Sequence, residues 1–373
     1  MHPSEDHQTT PIRIIDDGTK SWVGALNVSA SCARLVGSNE HAAAAARLAI
    51  SPGWADLHTH VFDGSTQISV SPDSVGLDHG VHLVADAGSA GQATVDGFER
   101  YVTPSAKTKV VSWLNIGSGG LVNLRETADI SLIDIDASVK AVINSPTFIR
   151  GIKVRSSGMI VGNMGLLPLQ MGRTVARECH VPLMVHIGEV PPVIDDVLDL
   201  LDDGDVITHC YHGKVGTPWS PDGTPLPALR RAIERGVKLD VGHGAASFDF
   251  GIARRAVEAG FPPDSISTDI HVRNVNGPVH SLASVMTKLL ACGMAIDDII
   301  RAVTDSPRSI LSLDEPWLNP DDTIRHATVF ELADGFRGNE NYIDSKGNAV
   351  TPDVHIVPRA VIVDGKYSQL PII

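Results

Sequence analysis

Residues 148–186 read FIRGIKVRSSGMIVGNMGLLPLQMGRTVARECHVPLMVH. A short β-branched run at 148–154 gives way to a helical stretch at 169–178, where Leu169, Arg173 and Ala176 recur at helical spacing. Cys179 then precedes a second apolar run at 182–186. Strand, helix and strand in this order make the βαβ unit of a parallel sheet, because a parallel return needs a crossover long enough to hold a helix.

Working outward, the same rhythm runs from about residue 52 to 313. It predicts strands at 50–58, 81–86, 109–116, 148–154, 182–186, 205–209, 238–242 and 265–268. Helices at 227–235 and 251–258 run out at Gly236 and near Gly260, residues that suit the left-handed position closing a helix. Eight strands fit one closed barrel of about 250 residues, and strand count alone leaves a doubly wound open sheet as the alternative. The expected fold is therefore α/β: a (β/α)8 TIM barrel over residues 51–321, with residues 1–50 and 322–373 joining in a small β-rich domain. The C-terminal flank supports strands in ATVFEL and VHIVPRAVIVDG. The N-terminal ASCARLVGSNEHAAAA lacks a clear strand-turn-strand rhythm, and two separate tails packed on the barrel are the alternative.

The chain has 373 residues, enough for one large domain or one large plus one small. Its 43% hydrophobic and 20% charged content excludes a disordered or fibrous protein. The 30 basic residues face 44 acidic ones, for a net charge of -14, and no basic block breaks that background. Nucleic acid is thus not an expected partner. Cys32, Cys179, Cys210 and Cys292 are scattered without a CxxC pair, as suits reduced thiols. The opening MHPSEDHQTTPIR has no apolar region behind a basic start, and no apolar run reaches membrane-spanning length. The expected location is the cytoplasm, with no membrane partner.

In SPGWADLHTHVFDG, residues 51–64, His58 and His60 are two apart, so an extended strand turns both imidazoles to one side. At the C-terminal end of a barrel strand that side is the active-site mouth. An HxH pair alone also fits polar strand-end residues with ordinary hydrogen bonds. Four further residues fall where a strand runs out: Lys153, His186, His209 and Asp269. A barrel gathers such residues at one rim, and imidazoles with a carboxylate suit Zn²⁺. An ammonium at Lys153 cannot ligate a cation, so this residue is either a carbamate or a positive site group.

Taken as a set, GWADLHTH, GIKVR, VHIGE, THCYHGK, DVGHGAASF and STDIH resemble the amidohydrolase superfamily, especially its dihydroorotase-like deacetylase branch, over most of residues 45–330. The resemblance implies two divalent metal ions, zinc by preference. His58 and His60 would hold one with Asp269, His186 and His209 the other, and carboxylated Lys153 would lie between them. It further implies a hydroxide shared by the ions, with Asp269 as the catalytic residue that takes its proton and passes it to the leaving group. The activity implied is removal of an acetyl group, as amide or ester, from a small carboxylate-bearing molecule.

Dihydroorotases resemble HxHxR at the first two ligands, whereas Val61 and Phe62 follow His60 here. A cyclic amidase of dihydroorotase or hydantoinase type is therefore the alternative, and a non-catalytic binding protein with a dead site stands third. Expected substrate contacts are Tyr211, His212 and Lys214 in the loop after His209, with Arg155, His243 and His271 at the barrel mouth. Glu189 and Asp86 fit a supporting role or plain loop capping, and the NIGSGG glycines fit close backbone approach or a surface turn. A homo-oligomer is reasonable for a barrel of this kind, although no seam is legible.

Overall fold

The computed structural model describes residues 8–16, 21–29, 32–37, 47–313, 315–319, 321–335 and 342–371. The N-terminal flank makes β1 (Gln8–Ile15), β2 (Ser21–Val28) and β3 (Ala33–Gly37), an antiparallel meander. The segment ARLVG thus is a strand despite its weak rhythm, held by the pairing of Val28 with Ala33 through Asn27 with Arg34 to Gly24 with Gly37. Most of the alanine-rich stretch at 41–49 lies outside the described residues.

The run expected as one strand at 50–58 is two. β4 (Leu48–Pro52) lies parallel to β1, and after Gly53 the chain enters β5 (Trp54–Thr59) in a different sheet. Both segments are buried, so nothing in their hydrophobicity marks the crossing. The barrel continues through β6 (Val81–Gly91), β7 (Lys109–Asn115), β8 (Ile149–Arg155), β9 (Leu183–His186), β10 (Val206–Thr208) and β11 (Lys238–Leu239). These seven strands pair in parallel in the order β11-β10-β9-β8-β7-β6-β5.

The strand expected at 265–268 does not form a regular ladder. Isolated parallel bridges, Asp240 with Ser265 and Thr59 with Ile270, carry this segment across the gap between β11 and β5. Backbone bonds from Asp269 N to His58 O (2.7 Å) and from His60 N to Ile270 O (3.1 Å) secure its β5 side. Helices Leu167–Cys179, Pro227–Glu234 and Phe250–Glu258 fill crossovers, and Gly236 and Gly260 take φ of +97° and +86° just beyond two of them.

The flanks share one sheet. β12 (His326–Asp334) runs antiparallel to β4. Beyond it come the hairpin β13 (Tyr342–Ile343) and β14 (Ala349–Val350), then β15 (Val354–Val363) and β16 (Lys366–Gln369). The sheet order is β16-β15-β12-β4-β1-β2-β3. Ile12, Ile14, Leu26, Ile50, Val329 and Ile362 form its own buried core, while Leu57, Leu83, Val111, Trp113, Met184 and Val206 pack in a second cluster contributed by the barrel strands. At about 25 cal/mol per Å² of apolar surface removed from water, burial of such side chains supplies the main drive for both layers. The β13–β14 hairpin reaches back toward the barrel, where Ser345 N donates to Phe248 O (3.0 Å). No helix among the described residues is long and apolar enough to cross a membrane.

Candidate metal centre

The ends of β5, β8, β9 and β10 and the segment after Ser265 deliver six side chains to one place. His60 Nε2 and His58 Nε2 lie 3.0 and 3.3 Å from Asp269 Oδ1, and His209 Nε2 lies 3.9 Å from Oδ2. Lys153 Nζ is 3.2 Å from His58 Nε2, and the rings of His186 and His209 meet at 4.3 Å between centroids. One donor atom each from His58, His209 and Asp269 falls within 4.8 Å of the others. A cavity of about 240 Å³ opens over the group, lined by His58, His60, Lys153, His186 and Asp269. His209 and Asp269 adopt φ of +68° and +49°, an uncommon backbone state that tends to persist where function demands it.

Whether these residues suit a cation is decided by their lone pairs. His209 Nδ1 donates to Gly242 O, since a carbonyl only accepts, and its Nε2 is left buried without a hydrogen-bond partner. A buried acceptor of that kind costs free energy unless something electrophilic meets it. Burial holds His58 and His186 well below the usual imidazole range and His209 down to about 3, so all three are in the neutral, ligating form. Burial also lowers Lys153 to about 7, giving a neutral amine fraction near neutrality, the form that can add carbon dioxide. Burial alone would raise Asp269, but His58 and His60 beside it carry its carboxyl well below the ordinary range. Neutral imidazoles, an ionised carboxylate and an orphaned Nε2 together fit divalent cations.

Support for these groups comes from Asp86, one of the residues expected in a supporting role, and from Asp56 and Ser89, which the motifs did not single out. Asp56, 2% exposed, accepts from His58 N (3.2 Å), Thr268 N (3.1 Å) and Thr268 Oγ1 (2.6 Å), stitching β5 to the Asp269 segment. Its burial pushes the carboxyl up to about 7. Ser89 Oγ meets His60 Nδ1 at 2.9 Å, and Asp86 anchors that turn by accepting from Ser89 N and Val61 N. A signal for Asp56 was present: positions 56, 58 and 60 alternate as polar residues along a strand, so all three share a side.

Three of the expected substrate contacts line the cavity: Arg155, Lys214 and His271. Arg155 is fixed by two bonds to buried Glu126 (2.7 and 2.6 Å) and one to Leu124 O (2.8 Å). Lys214 pairs with Glu189 at 2.7 Å, and Ser157 Oγ donates to the same carboxylate. His271 stands 6.2 Å from the His60 ring. The structure places the other three elsewhere. Tyr211 is fully buried, stacked on Trp219, with its hydroxyl donating to Phe261 O (3.1 Å). His212 is buried and accepts from Lys214 N (3.1 Å), which shapes the loop. His243 is buried beneath Phe248, bonded to Gly244 O and to Lys288 Nζ. In their stead Arg273, Ser247 and an apolar wall of Ile68, Leu121, Leu124 and Ile160 complete the lining.

No family model matches the chain. A deacetylase of Brucella anthropi is 38% identical over 359 residues, covering 95% of this chain and 87% of that one. Among solved structures, a crystal structure described as a dihydroorotase superposes with a TM-score of 0.84 at 36% identity, covering 97% of this chain and 98% of that one. One described as an adenine deaminase gives 0.85 at 30% identity, covering 96% and 100%.

Proposed function

Because the chain belongs to the amidohydrolase superfamily, among its deacetylases, we propose that it removes an acetyl group from a small carboxylate-bearing molecule, cleaving an amide or an acetyl ester. It is a hydrolase of amide bonds, and the finer reading concerns its substrate, metal and site residues. The observation that carries this reading is the convergence of the orphaned His209 Nε2 with His58 and Asp269, the latter two lining the cavity.

His58 and His60 would hold one divalent ion with Asp269, and His186 and His209 a second, with Lys153 as a carbamate between them. Bound there, zinc ions would supply Lewis acidity, lowering the pKa of water and polarising the scissile carbonyl. Asp269 accepts the proton of the attacking water on its carboxylate and returns it to the departing nitrogen or oxygen as the tetrahedral intermediate collapses. Arg155 and Arg273 present cationic groups to the substrate carboxylate, and the rigid pairing with Glu126 keeps Arg155 oriented without induced movement. His271 and Lys214 complete the polar side. Ile68, Leu121, Leu124 and Ile160 hold the apolar part and keep water from the opposite wall. The unpaired, scattered thiols support a cytoplasmic location.

A cyclic amidase is the second reading, favoured by the likeness to a structure described as a dihydroorotase. Val61 and Phe62 after His60 weigh against it, since no arginine stands there to hold a dihydroorotate carboxylate. The deciding experiment measures metal per chain after purification without chelator and with bicarbonate, then turnover of N-acetyl amino acids, acetylated hydroxy acids and cyclic amides. About two zinc per chain with turnover of acetylated acids is expected. No metal after zinc and bicarbonate are restored overturns the reading, and turnover of cyclic amides alone replaces it with the second.

A further inference from the structure

Asp240 follows β11, is fully buried, and collects three hydroxyl groups. Thr208 Oγ1 and Ser267 Oγ each donate to Oδ2 at 2.7 Å, and Ser265 Oγ donates to Oδ1. A hydroxyl has one hydrogen, so each of these oxygens is left to act only as an acceptor. Thr208 Oγ1 lies 2.8 Å from His58 Nδ1 and takes its hydrogen there, which leaves His58 Nε2 bare toward Asp269 and Lys153. Ser267 Oγ takes the hydrogen of Gly242 N at 3.0 Å, fixing the residue whose carbonyl accepts from His209 Nδ1. Only glycine fits at 242: a β-carbon would stand 2.2 Å from Thr208 Oγ1 and 2.9 Å from His209 Nδ1, and φ is +46°.

We propose that Asp240 is a positioning residue for two ligand histidines at once: it sets the tautomer of His58 through Thr208, and through Ser267 it holds Gly242, whose carbonyl accepts from His209 Nδ1. One carboxylate thereby readies two lone pairs that would serve two different ions. The role in ion binding rests on the reading of the site given above, whereas the tautomers are properties of the protein itself. A carboxylate that merely stitched β11 to the 265–267 segment would affect unfolding and leave the His58 tautomer indifferent to loss of the Thr208 hydroxyl.

The two branches can be cut separately in the full chain. In metal-free protein carrying ¹⁵N-histidine, NMR should find both His58 and His209 protonated at Nδ1. Thr208→Val should release His58 and leave His209 unchanged, Ser267→Ala should shift the His209 ring resonances through movement of Gly242 while leaving His58 as in the wild type, and Thr208→Ser should restore the His58 tautomer. Competition with a chelator should then show zinc bound roughly 10–100-fold more weakly by Thr208→Val, with recovery in Thr208→Ser. The proposal is overturned if wild-type His58 is protonated at Nε2, or if Thr208→Val leaves its tautomer and zinc affinity as in the wild type. Tautomers that respond in a protein that takes no zinc would support the relay and remove the ions, separating its failure from that of the metal reading.

Discussion

Gly244 lies directly against Asp269: a β-carbon on Gly244 would stand 2.5 Å from Asp269 Oδ2. The glycine also takes φ of +54°, so a side chain there is strained as well as crowded. Gly244→Ala is expected to push the carboxylate off its station. A displacement near 1 Å costs about 100-fold in rate, so kcat/KM on an acetylated substrate should fall on that scale while the far-ultraviolet circular dichroism is unchanged.

Asp269→Asn keeps the left-handed backbone, which asparagine tolerates, and removes the charge that moves the proton. We expect kcat to fall roughly 10²–10⁴-fold with little change in unfolding midpoint. Activity within a few-fold of the wild type would place the proton shuttle on another group.

Chelation should abolish turnover, and zinc with bicarbonate should restore it. Because an ion that binds only the folded chain stabilises it by mass action, free zinc at 1,000 times its Kd should add about 4 kcal/mol, read as a rise in melting temperature. A melting temperature indifferent to both treatments would contradict a resident ion.

Arg155 is tied to Glu126, whose side chain is 1% exposed. Arg155→Met leaves that carboxylate buried without its cation, at a cost of roughly 3–5 kcal/mol in a denaturant titration. Glu126→Leu combined with it should recover much of the stability. KM for a carboxylate-bearing substrate should stay raised in both, which separates binding from folding.

The pH dependence has a definite sign at the junction of barrel and flank sheet. His82 is buried, its Nε2 bonds to Ala327 O at 3.0 Å, and burial lowers it from 6.5 to about 3. The unfolded chain therefore takes up a proton below pH 6.5 that the folded chain refuses until about 3. Stability from this group is complete above 6.5 and declines as pH falls, by on the order of 2 kcal/mol at pH 5. Urea titrations of wild type and His82→Gln at pH 8 and pH 5 should show a smaller loss in the variant.

Much of this molecule is legible in its sequence where one physical cause dominates. The ends of β8, β9 and β10 follow from apolar β-branched runs stopping at a polar residue, and the histidines and lysine placed there do meet. The segment at 265–268 resisted because backbone donors at its borders turn to side chains, Thr268 N to Asp56 Oδ1 and Gly242 N to Ser267 Oγ, long-range partners that no local pattern announces. Tyr211 stands in the expected loop, but the direction of a side chain depends on distant neighbours, here Trp219 and Phe261. Glu126, which decides how Arg155 behaves, sits in an irregular loop with no periodic pattern to announce it.

The placement of β4 between β1 and β12 bears on how the chain is made. β1 and β4 are synthesised early, whereas β12 follows the whole barrel. Throughout translation β4 therefore presents an open edge directly attached to the first barrel strand, and a chain halted before residue 326 would keep it. Such an edge invites pairing with other chains. Emergence of β12 is then the step that covers this edge, and a chain cut before residue 326 should aggregate.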